Sequence, residues 1–246
     1  MPTTDTGTSP RAHPPITIRL PSKYARGRTT APPSPSSAAA STPPFTPPPL
    51  SFMRRTWTVT HSTIAMWRGS RNVRVTYGAL PPQDGRERLS DTVEHETVPW
   101  RRRRRRWWWW GGNSSSSGEG AVLRRICGTD TASSRGPGET GAWHWRGRRC
   151  LALVGGSHWE VLGWGERERP GERGRPVRWM VTWFAPTLFT AEGLDLYSDR
   201  AGGGGEELAR DVLAELARVC RGEERLRRLV ERDMREVAVS LPWKEA

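Results

Sequence analysis

Two histidines, His61 and His95, stand in stretches where apolar and polar residues alternate, and an imidazole can bind a metal or act as a general base. The alternation predicts β-strands on which both side chains point inward. Neither histidine belongs to an H-x-H or H-E-x-x-H motif of the kind that holds zinc. Single histidines on strands are more often hydrogen-bonded core residues. The sequence therefore predicts no metal site and no cofactor site.

A serine nucleophile has no supporting motif. Ser62 follows His61, and Asp91 opens a later predicted strand, but no G-x-S-x-G turn surrounds the serine. The E-H-E stretch around His95 alternates between the two faces of a strand, so its carboxylates cannot both flank one inward group. The glycine runs match no phosphate-binding pattern. No catalytic residue is predicted.

Tryptophan is the other residue type that could form a site, since the chain has 14 tryptophans against 3 tyrosines and 4 phenylalanines. In W-E-V-L-G-W-G, a period of two places Trp159 and Val161 on one face and Trp164 on the other. In R-W-M-V-T-W-F, Trp179 and Trp183 share a face. Such rows line a pocket or fill a barrel. The predicted ligand-binding residues are Trp57, Val59, His61, Trp67, His95, Trp143, Trp159, Val161, Trp179 and Trp183.

The elements that must position these residues are short β-strands. Between residues 141 and 198, four apolar bursts are separated by short breaks that contain Gly, Arg or Pro, a pattern typical of antiparallel strands. The stretches that end at His61 and Tyr77 alternate in the same way, and residues 91–98 and 121–127 predict further strands. An apolar sheet face of tryptophan and valine must be shielded from water, and it is shielded when the sheet closes on itself. We expect an all-β fold, an antiparallel up-and-down barrel of about eight to ten strands.

A helix is predicted after the strands, in a C-terminal region spanning residues 201–246. The glycine run 202–205 is expected to act as a hinge, and Gly222 to interrupt the helix that follows. Apolar residues recur there at helical spacing, which favours one face packed on the barrel. These residues are Leu208, Val212, Leu216, Val219, Leu226, Val230 and Met234.

Two segments are expected to lie outside the folded unit. Residues 1–51 are rich in Pro, Ser, Thr and Ala, which predicts a disordered arm, with an organelle transit peptide as the alternative. The barrel domain, residues 52–200, is interrupted at 99–120 by a low-complexity loop with runs of arginine and tryptophan. The codons for such runs differ only in their first base, so a repeat expansion explains them. There are two alternatives: the run binds single-stranded nucleic acid through its arginines and tryptophans, or it is retained non-coding sequence.

Charge and cysteine content limit the partners and the cellular compartment that the sequence predicts. The net charge is +13 with a pI near 11.1, yet the 39 basic residues include only two lysines, Lys23 and Lys244, and six arginines form the run 101–106. This pattern favours composition bias over a specific nucleic-acid partner. No apolar run reaches the roughly 20 residues of a membrane span. Three distant cysteines offer no disulfide framework. We expect a soluble cytoplasmic protein, and the oligomeric state stays open.

Several stretches together resemble a known family. They are T-V-T-H-S-T from Thr58, M-W at 66–67, R-N-V-R-V-T-Y from Arg71, W-H-W-R-G from Trp143, W-E-V-L-G-W-G from Trp159 and V-T-W-F from Val181. Over residues 54 to 198 the chain resembles a fungal group of lipocalin-like proteins in the calycin superfamily. The resemblance implies a calycin barrel, and it implies that Trp57 closes one end. Arg55 stands where the family has glycine, and Arg146 is the candidate for the arginine that covers Trp57.

Three functions are compatible with these patterns. The first hypothesis is the binding of a hydrophobic, lipid-like molecule of fatty-acid size in the barrel interior. An enzyme that acts on such a molecule is the second, and a filled structural barrel without ligand is the third. A buried, titrating His61 or His95 that faces a cavity would favour the enzyme. A dry apolar cavity would favour binding.

Overall fold

The fold is a closed antiparallel barrel. The computed structural model describes residues 15–25, 45–97, 121–136, 141–148, 156–168, 174–188 and 190–244. The barrel strands are β1 Thr56–Ser62, β2 Ser70–Gln83, β3 Arg86–Thr97, β4 Val122–Ala132, β5 Ala142–Gly147, β6 Gly156–Arg167, β7 Val177–Phe184 and β8 Gly193–Ser198. Each pairs with the next along the chain, and β8 pairs with β1, so the up-and-down sheet has no free edge. The predicted fold class is confirmed.

Short helices and one further strand complete the described elements. They are helices α1 Ser22–Ala25, α2 Leu50–Met53, α3 Glu206–Cys220 and α4 Glu224–Arg228, the 3₁₀ helix Ala65–Gly69, the π-helix Leu229–Asp233, and strand β9 Arg235–Glu236, which pairs with β1. The predicted C-terminal helix is confirmed, and it ends at Cys220, just before Gly222. None of the helices in the described ranges is both long and apolar enough to cross a bilayer.

The apolar side chains form two clusters, one on each side of the barrel wall. The inner cluster contains Trp57, Val59, Tyr77, Trp143 and Trp159, among others. The outer layer lies between the outside of β6, β7 and β8 and the covering segments. Its buried members are Ile18, Leu162, Val177, Trp179, Val181, Trp183, Leu194, Leu196, Leu208, Val212, Leu216, Cys220 and Leu226. Each buried aliphatic side chain of α3 contributes roughly 1.5–3 kcal/mol. The helix therefore packs on the outside of the barrel.

Part of the expected N-terminal arm packs on the barrel, which corrects the prediction of disorder for residues 15–25 and 45–51. Ile18 is buried in the outer layer, and the Arg19 backbone N–H donates to the Leu162 carbonyl at 2.8 Å. The buried carboxylate of Glu160 accepts hydrogen bonds from Arg19 at 2.6 Å and from the Ser22 backbone at 3.0 Å. The composition of the arm obscured this contact because its apolar residues are few and alternate with polar ones. The rest of the range 1–51 falls outside the described residues.

Three further predictions also fall outside the described residues. They concern the Arg/Trp loop, of which only the flanking residues Thr97 and Ala121 are described, one of the four apolar bursts, at 150–154, and one of the three cysteines, Cys150. Cys127 and Cys220 are free thiols.

Candidate functional site

One end of the barrel is closed by aromatic packing around Trp57. This residue is fully buried and donates its indole N–H to the Met53 carbonyl at 2.9 Å. Phe52 packs on it with ring centroids 5.4 Å apart. The Arg55 guanidinium lies 5.5 Å from the Trp57 ring centroid, within the range of a cation–π contact. Arg146, the candidate for this role, is exposed on β5. Arg55 therefore covers the tryptophan instead.

The other end of the barrel holds a cavity of about 230 Å³, the inner cavity. Its mouth lies between the 3₁₀ helix Ala65–Gly69 and the segment that joins β7 to β8. Met66, in the 3₁₀ helix, is 48% exposed. The lining residues are mostly apolar. They are Val59, Ile64, Met66, Trp67, Val75, Tyr77, Asp91, Val93, Ile126, Trp145, Gly156, Ser157, Trp159, Phe184, Thr187, Thr190, Ala191, Asp195 and Tyr197.

A stack of three aromatic rings runs from the wall into the interior. Trp159 lies between Trp143, with ring centroids 5.9 Å apart, and Tyr77, with centroids 5.7 Å apart, and both pairs are nearly parallel. Trp143 and Trp159 lie opposite each other where β5 pairs with β6, and this pairing brings their rings into contact. Trp145 finds room because it lies over Gly128, which has no side chain. Glycine at position 128 thus permits a large ring in the cavity wall.

Three buried carboxyl groups share this interior. Asp91 is 7% exposed, Asp130 0% and Asp195 3%. Trp159 donates its indole N–H to Asp130 Oδ1 at 2.7 Å, and Ser62 donates its hydroxyl to Asp195 Oδ1 at 2.5 Å. Asp91 Oδ1 and Asp130 Oδ2 are buried and have no hydrogen-bond partner among the residues that the structure describes.

The titration of these groups is set by burial. Desolvation raises the pKa of Asp195 to about 7, although the Ser62 hydrogen bond and the charge of Arg68 act in the opposite direction. Desolvation also raises the pKa of Asp91 and of Asp130, and the neighbouring Asp130 charge raises that of Asp91 further. Burial similarly raises the pKa of Tyr77 and Tyr197, which hydrogen-bond to each other. Near neutral pH, the interior therefore resists holding more than one negative charge.

Apart from His95, six of the predicted ligand-binding residues lie on the inner side of the barrel wall. Val59, Trp67 and Trp159 line the inner cavity. Three others, Trp57, Trp143 and Val161, are buried in the inner cluster and do not line the cavity.

Trp179 and Trp183 face the opposite side of the wall, which corrects the prediction that they point inward. Both belong to the outer layer, and Trp183 donates its indole N–H to Glu192 Oε1 at 2.9 Å. The inward positions of β7 include Met180 and Phe184. Because both faces of β7 are apolar, alternation cannot identify the inner one.

His61 also faces outward, because the register between β1 and β8 shifts between Val59 and His61. Such a β-bulge reverses the phase of the residues that follow it, so that Ser62 turns inward. His61 lines a groove of about 520 Å³, the outer groove, between β1, β8 and the start of α3. A second shift between Val161 and Gly163 places Trp164 against the inner cluster, contrary to the predicted phase.

His95 lies on the inner side of β3 but does not line the inner cavity. Its Nδ1 shares a hydrogen bond with Ser70 Oγ at 3.0 Å, and its ring meets the edge of Trp67 with centroids 5.2 Å apart. Burial lowers the pKa of His95, and the charge of Arg124 lowers it further. It is therefore a hydrogen-bonded core histidine.

The sequence pattern did not identify the buried carboxyl groups as candidate site residues. Asp91 has the same strand phase as Val93, and Asp195 the same phase as Tyr197, which is the signal that could have identified them. In the part of the chain that the structure describes, no group of three His, Cys, Asp or Glu side chains is arranged to hold a metal ion.

Comparisons with known proteins add little to this geometry. No protein-family model and no sequence among the curated proteins matches the chain. Solved structures with a similar fold include apocrustacyanin C2 and lobster apocrustacyanin A1, each 9% identical over 77% of this chain and 79% of theirs, with a TM-score of 0.38. Apocrustacyanin C1 is 8% identical over 77% and 78%, with the same TM-score. Likeness at this level says nothing about ligand or activity. The assignment of a barrel rests on the strand pairing, and membership of the fungal lipocalin-like group stays a prediction.

Proposed function

We propose that the protein binds a small, predominantly apolar molecule in the inner cavity. The observation that supports this is an open volume of about 230 Å³ inside a barrel whose interior is otherwise packed with large rings. An apolar molecule that enters loses contact with water on nearly all sides, which is worth roughly 25 cal/mol per Å² of apolar surface. A filled structural barrel without ligand would not leave this volume.

The volume favours a ligand smaller than the fatty-acid-sized molecule expected from the sequence. A dry cavity of about 150 Å³ accommodates benzene. The inner cavity therefore suits a molecule with on the order of ten non-hydrogen atoms. Long-chain fatty acids, retinoids and sterols exceed this size. For so small a ligand, we expect dissociation constants between roughly micromolar and millimolar.

The alternative of an enzyme inside the barrel gains no support from the histidines. His61 lines the outer groove, and His95 does not line the inner cavity. A titrating histidine that faces the cavity would have favoured catalysis. Binding is therefore the function that the described residues favour.

Calorimetric titration with 2-phenylethanol, a neutral molecule of suitable size, tests the proposal. The substitution Ile126→Trp fills the cavity from β4, whereas Thr129→Trp adds the same ring on the outward face of that strand. We expect the wild-type protein and the Thr129→Trp variant to bind, and Ile126→Trp to bind at least about tenfold more weakly. Absence of binding to the wild-type protein at millimolar concentrations, or equal binding by both variants, would refute the proposal.

A further inference from the structure

Among the described residues, those that line the inner cavity include acidic groups and no basic ones. Asp91 and Asp195 both line it, and none of the described residues that line it is Lys, Arg or His. Buried carboxyl groups in proteins are normally paired with a cation or fully hydrogen-bonded. A carboxyl group inside an apolar cavity without a cation is therefore unusual and suggests that the partner comes from outside the chain.

Asp91 is the cavity-lining carboxyl group with an unsatisfied oxygen atom. It is 7% exposed, and none of the described residues donates a hydrogen bond to its Oδ1 atom, whereas Trp145 hydrogen-bonds the same carboxyl group. Asp195 differs, because it accepts a bond from Ser62 and lies within the field of Arg68. An unsatisfied buried acceptor costs about 1–3 kcal/mol. Asp91 thus presents an open acceptor in the cavity.

The remaining walls suit a cation as well as an apolar body. Trp67, Tyr77, Trp145, Trp159 and Tyr197 all line the cavity. The faces of aromatic rings carry negative electrostatic potential and attract ammonium groups, most strongly when the pair is shielded from water. An anionic ligand would instead meet aromatic faces that repel it.

We propose that the ligand is a small hydrophobic amine whose ammonium group pairs with Asp91 while its apolar body contacts the aromatic wall. The inference rests on the proposed function, since it names the chemical class of the molecule in the same cavity. Asp195, the second acidic residue of the lining, already accepts the Ser62 hydroxyl, which leaves Asp91 as the open acceptor.

Binding of such an amine releases a proton. In the empty cavity, burial and the nearby Asp130 raise the pKa of Asp91, which favours the protonated form of this carboxyl group. The other titratable groups that act within this interior are Tyr77, Tyr197 and Asp195, with Arg68 facing Asp195. When an ammonium ion enters, Asp91 ionises, its proton leaves to solvent, and the pair inside the cavity is neutral overall.

Three probes of nearly equal size separate the outcomes: 2-phenylethylamine as the cation, 2-phenylethanol as the neutral molecule and phenylacetate as the anion. By calorimetry near neutral pH, we expect the amine to bind at least about tenfold more tightly than the alcohol, and phenylacetate to bind most weakly. Titrations in buffers of different ionisation enthalpy should show proton release with the amine and none with the alcohol.

The substitution Asp91→Asn removes the counter-ion and keeps the size of the side chain. It should abolish the preference for the amine and the proton release, while the affinity for the alcohol changes by less than about threefold. The matched control is Asp84→Asn, which removes the same charge from an exposed turn and should leave the preference intact. If Asp91→Asn does not fold, the test is the proton release by the wild-type protein, measured from the binding enthalpy of the amine in buffers of different ionisation enthalpy.

The outcomes distinguish the two proposals. If the alcohol binds and the amine binds no more tightly, the amine inference is overturned and the proposed function stands. Tightest binding by phenylacetate, or an amine preference that survives Asp91→Asn, would also overturn the inference. If none of the three probes binds, the proposed function fails and the inference fails with it.

Discussion

Ser62 and Asp195 face each other across the seam where β1 and β8 close the barrel, and the Ser62 hydroxyl donates to Asp195 Oδ1 at 2.5 Å. The same hydroxyl oxygen accepts the Ile64 backbone N–H at 2.9 Å. Ser62 turns inward only because of the bulge that precedes His61. One irregularity in β1 therefore provides a donor for the buried Asp195 and at the same time turns His61 out of the barrel.

Replacing Ser62 with alanine should destabilise the protein. The change leaves Asp195 without its only hydroxyl donor among the described contacts, and the Ile64 N–H loses its acceptor. We expect a loss of about 1–3 kcal/mol in the free energy of unfolding, measured by chemical denaturation. Ser51→Ala, at an exposed position in α2, is the control and should change stability by less than about 0.5 kcal/mol. Equal effects of the two substitutions would contradict the role assigned to Ser62.

Asp195 should make stability fall as pH rises. Burial raises the pKa of this carboxyl group to about 7 in the folded protein, whereas an unfolded aspartate has a pKa of about 3.9. The folded state thus binds the proton more tightly, and this contribution is lost between about pH 4 and pH 7. Ser62, Arg68 and Tyr197 are the groups that face it.

The substitution Asp195→Asn isolates that contribution, because Ser62 can still donate to the amide oxygen. Relative to the wild-type protein, the variant should gain stability by about one to several kcal/mol between about pH 5 and pH 7. Burial lowers the pKa of His61 and of His95, so these histidines make stability rise with pH, opposite to Asp195. The quantity to compare is therefore the difference in free energy of unfolding between the variant and the wild-type protein at each pH. Denaturant midpoints at both pH values provide the measurement. If the stability difference between the variant and the wild-type protein were the same at both pH values, the pKa of Asp195 would not be raised in the folded protein.

Enlarging Gly128 should displace Trp145. A Cβ atom at position 128 would overlap the Trp145 indole, so the ring must leave its place in the cavity wall. We expect Gly128→Ala to cost about 1–3 kcal/mol and to shift tryptophan emission. Gly69→Ala is the control, since a Cβ atom at Gly69 meets nothing within 4 Å. Unchanged stability and emission in Gly128→Ala would show that Trp145 does not occupy this position.

Removal of the N-terminal segment should weaken the fold. Deleting residues 1–25 exposes Leu162 and Trp183 and removes donors from the buried Glu160. In a chain of this size, each kcal/mol lost lowers the melting temperature by about 2–4 °C, so a fall of several degrees is expected. Ile18→Ala should act in the same direction, whereas Lys23→Ala, at an exposed position of the same segment, should not. An unchanged melting temperature on deletion would favour the disordered arm.

The order of strands could be predicted from the sequence, but the inner face of each strand could not always be assigned. Alternation correctly assigned Trp57, Val59 and Trp159 to the interior. In β8 the leucines at 194 and 196 face the outer layer, whereas Asp195 and Tyr197 face the cavity. The rule that apolar residues face the core fails there because α3 and the N-terminal segment build a second apolar layer outside the barrel.

Two kinds of information were absent from local patterns. Bulges shift the strand phase at His61 and at Trp164, and only the second bulge has a glycine, Gly163, beside it in the sequence. The grouping of Asp91 and Asp130 depends on pairing between β3 and β4, which brings together residues distant in the chain. A pattern search for catalytic motifs could not find a site made of isolated aspartates on separate strands.

The most direct test of ligand binding is the mass of the intact protein, recovered from cells under native conditions. Because a ligand of micromolar to millimolar affinity dissociates during purification, 2-phenylethanol is added in excess, and we then expect wild-type protein and the Thr129→Trp variant to carry a bound molecule that is lost on denaturation. The Ile126→Trp variant, whose cavity is filled, should have only the mass of its own chain. The account would be contradicted if all three proteins had only their chain masses and 2-phenylethanol, added in excess, produced no bound species with the wild-type protein.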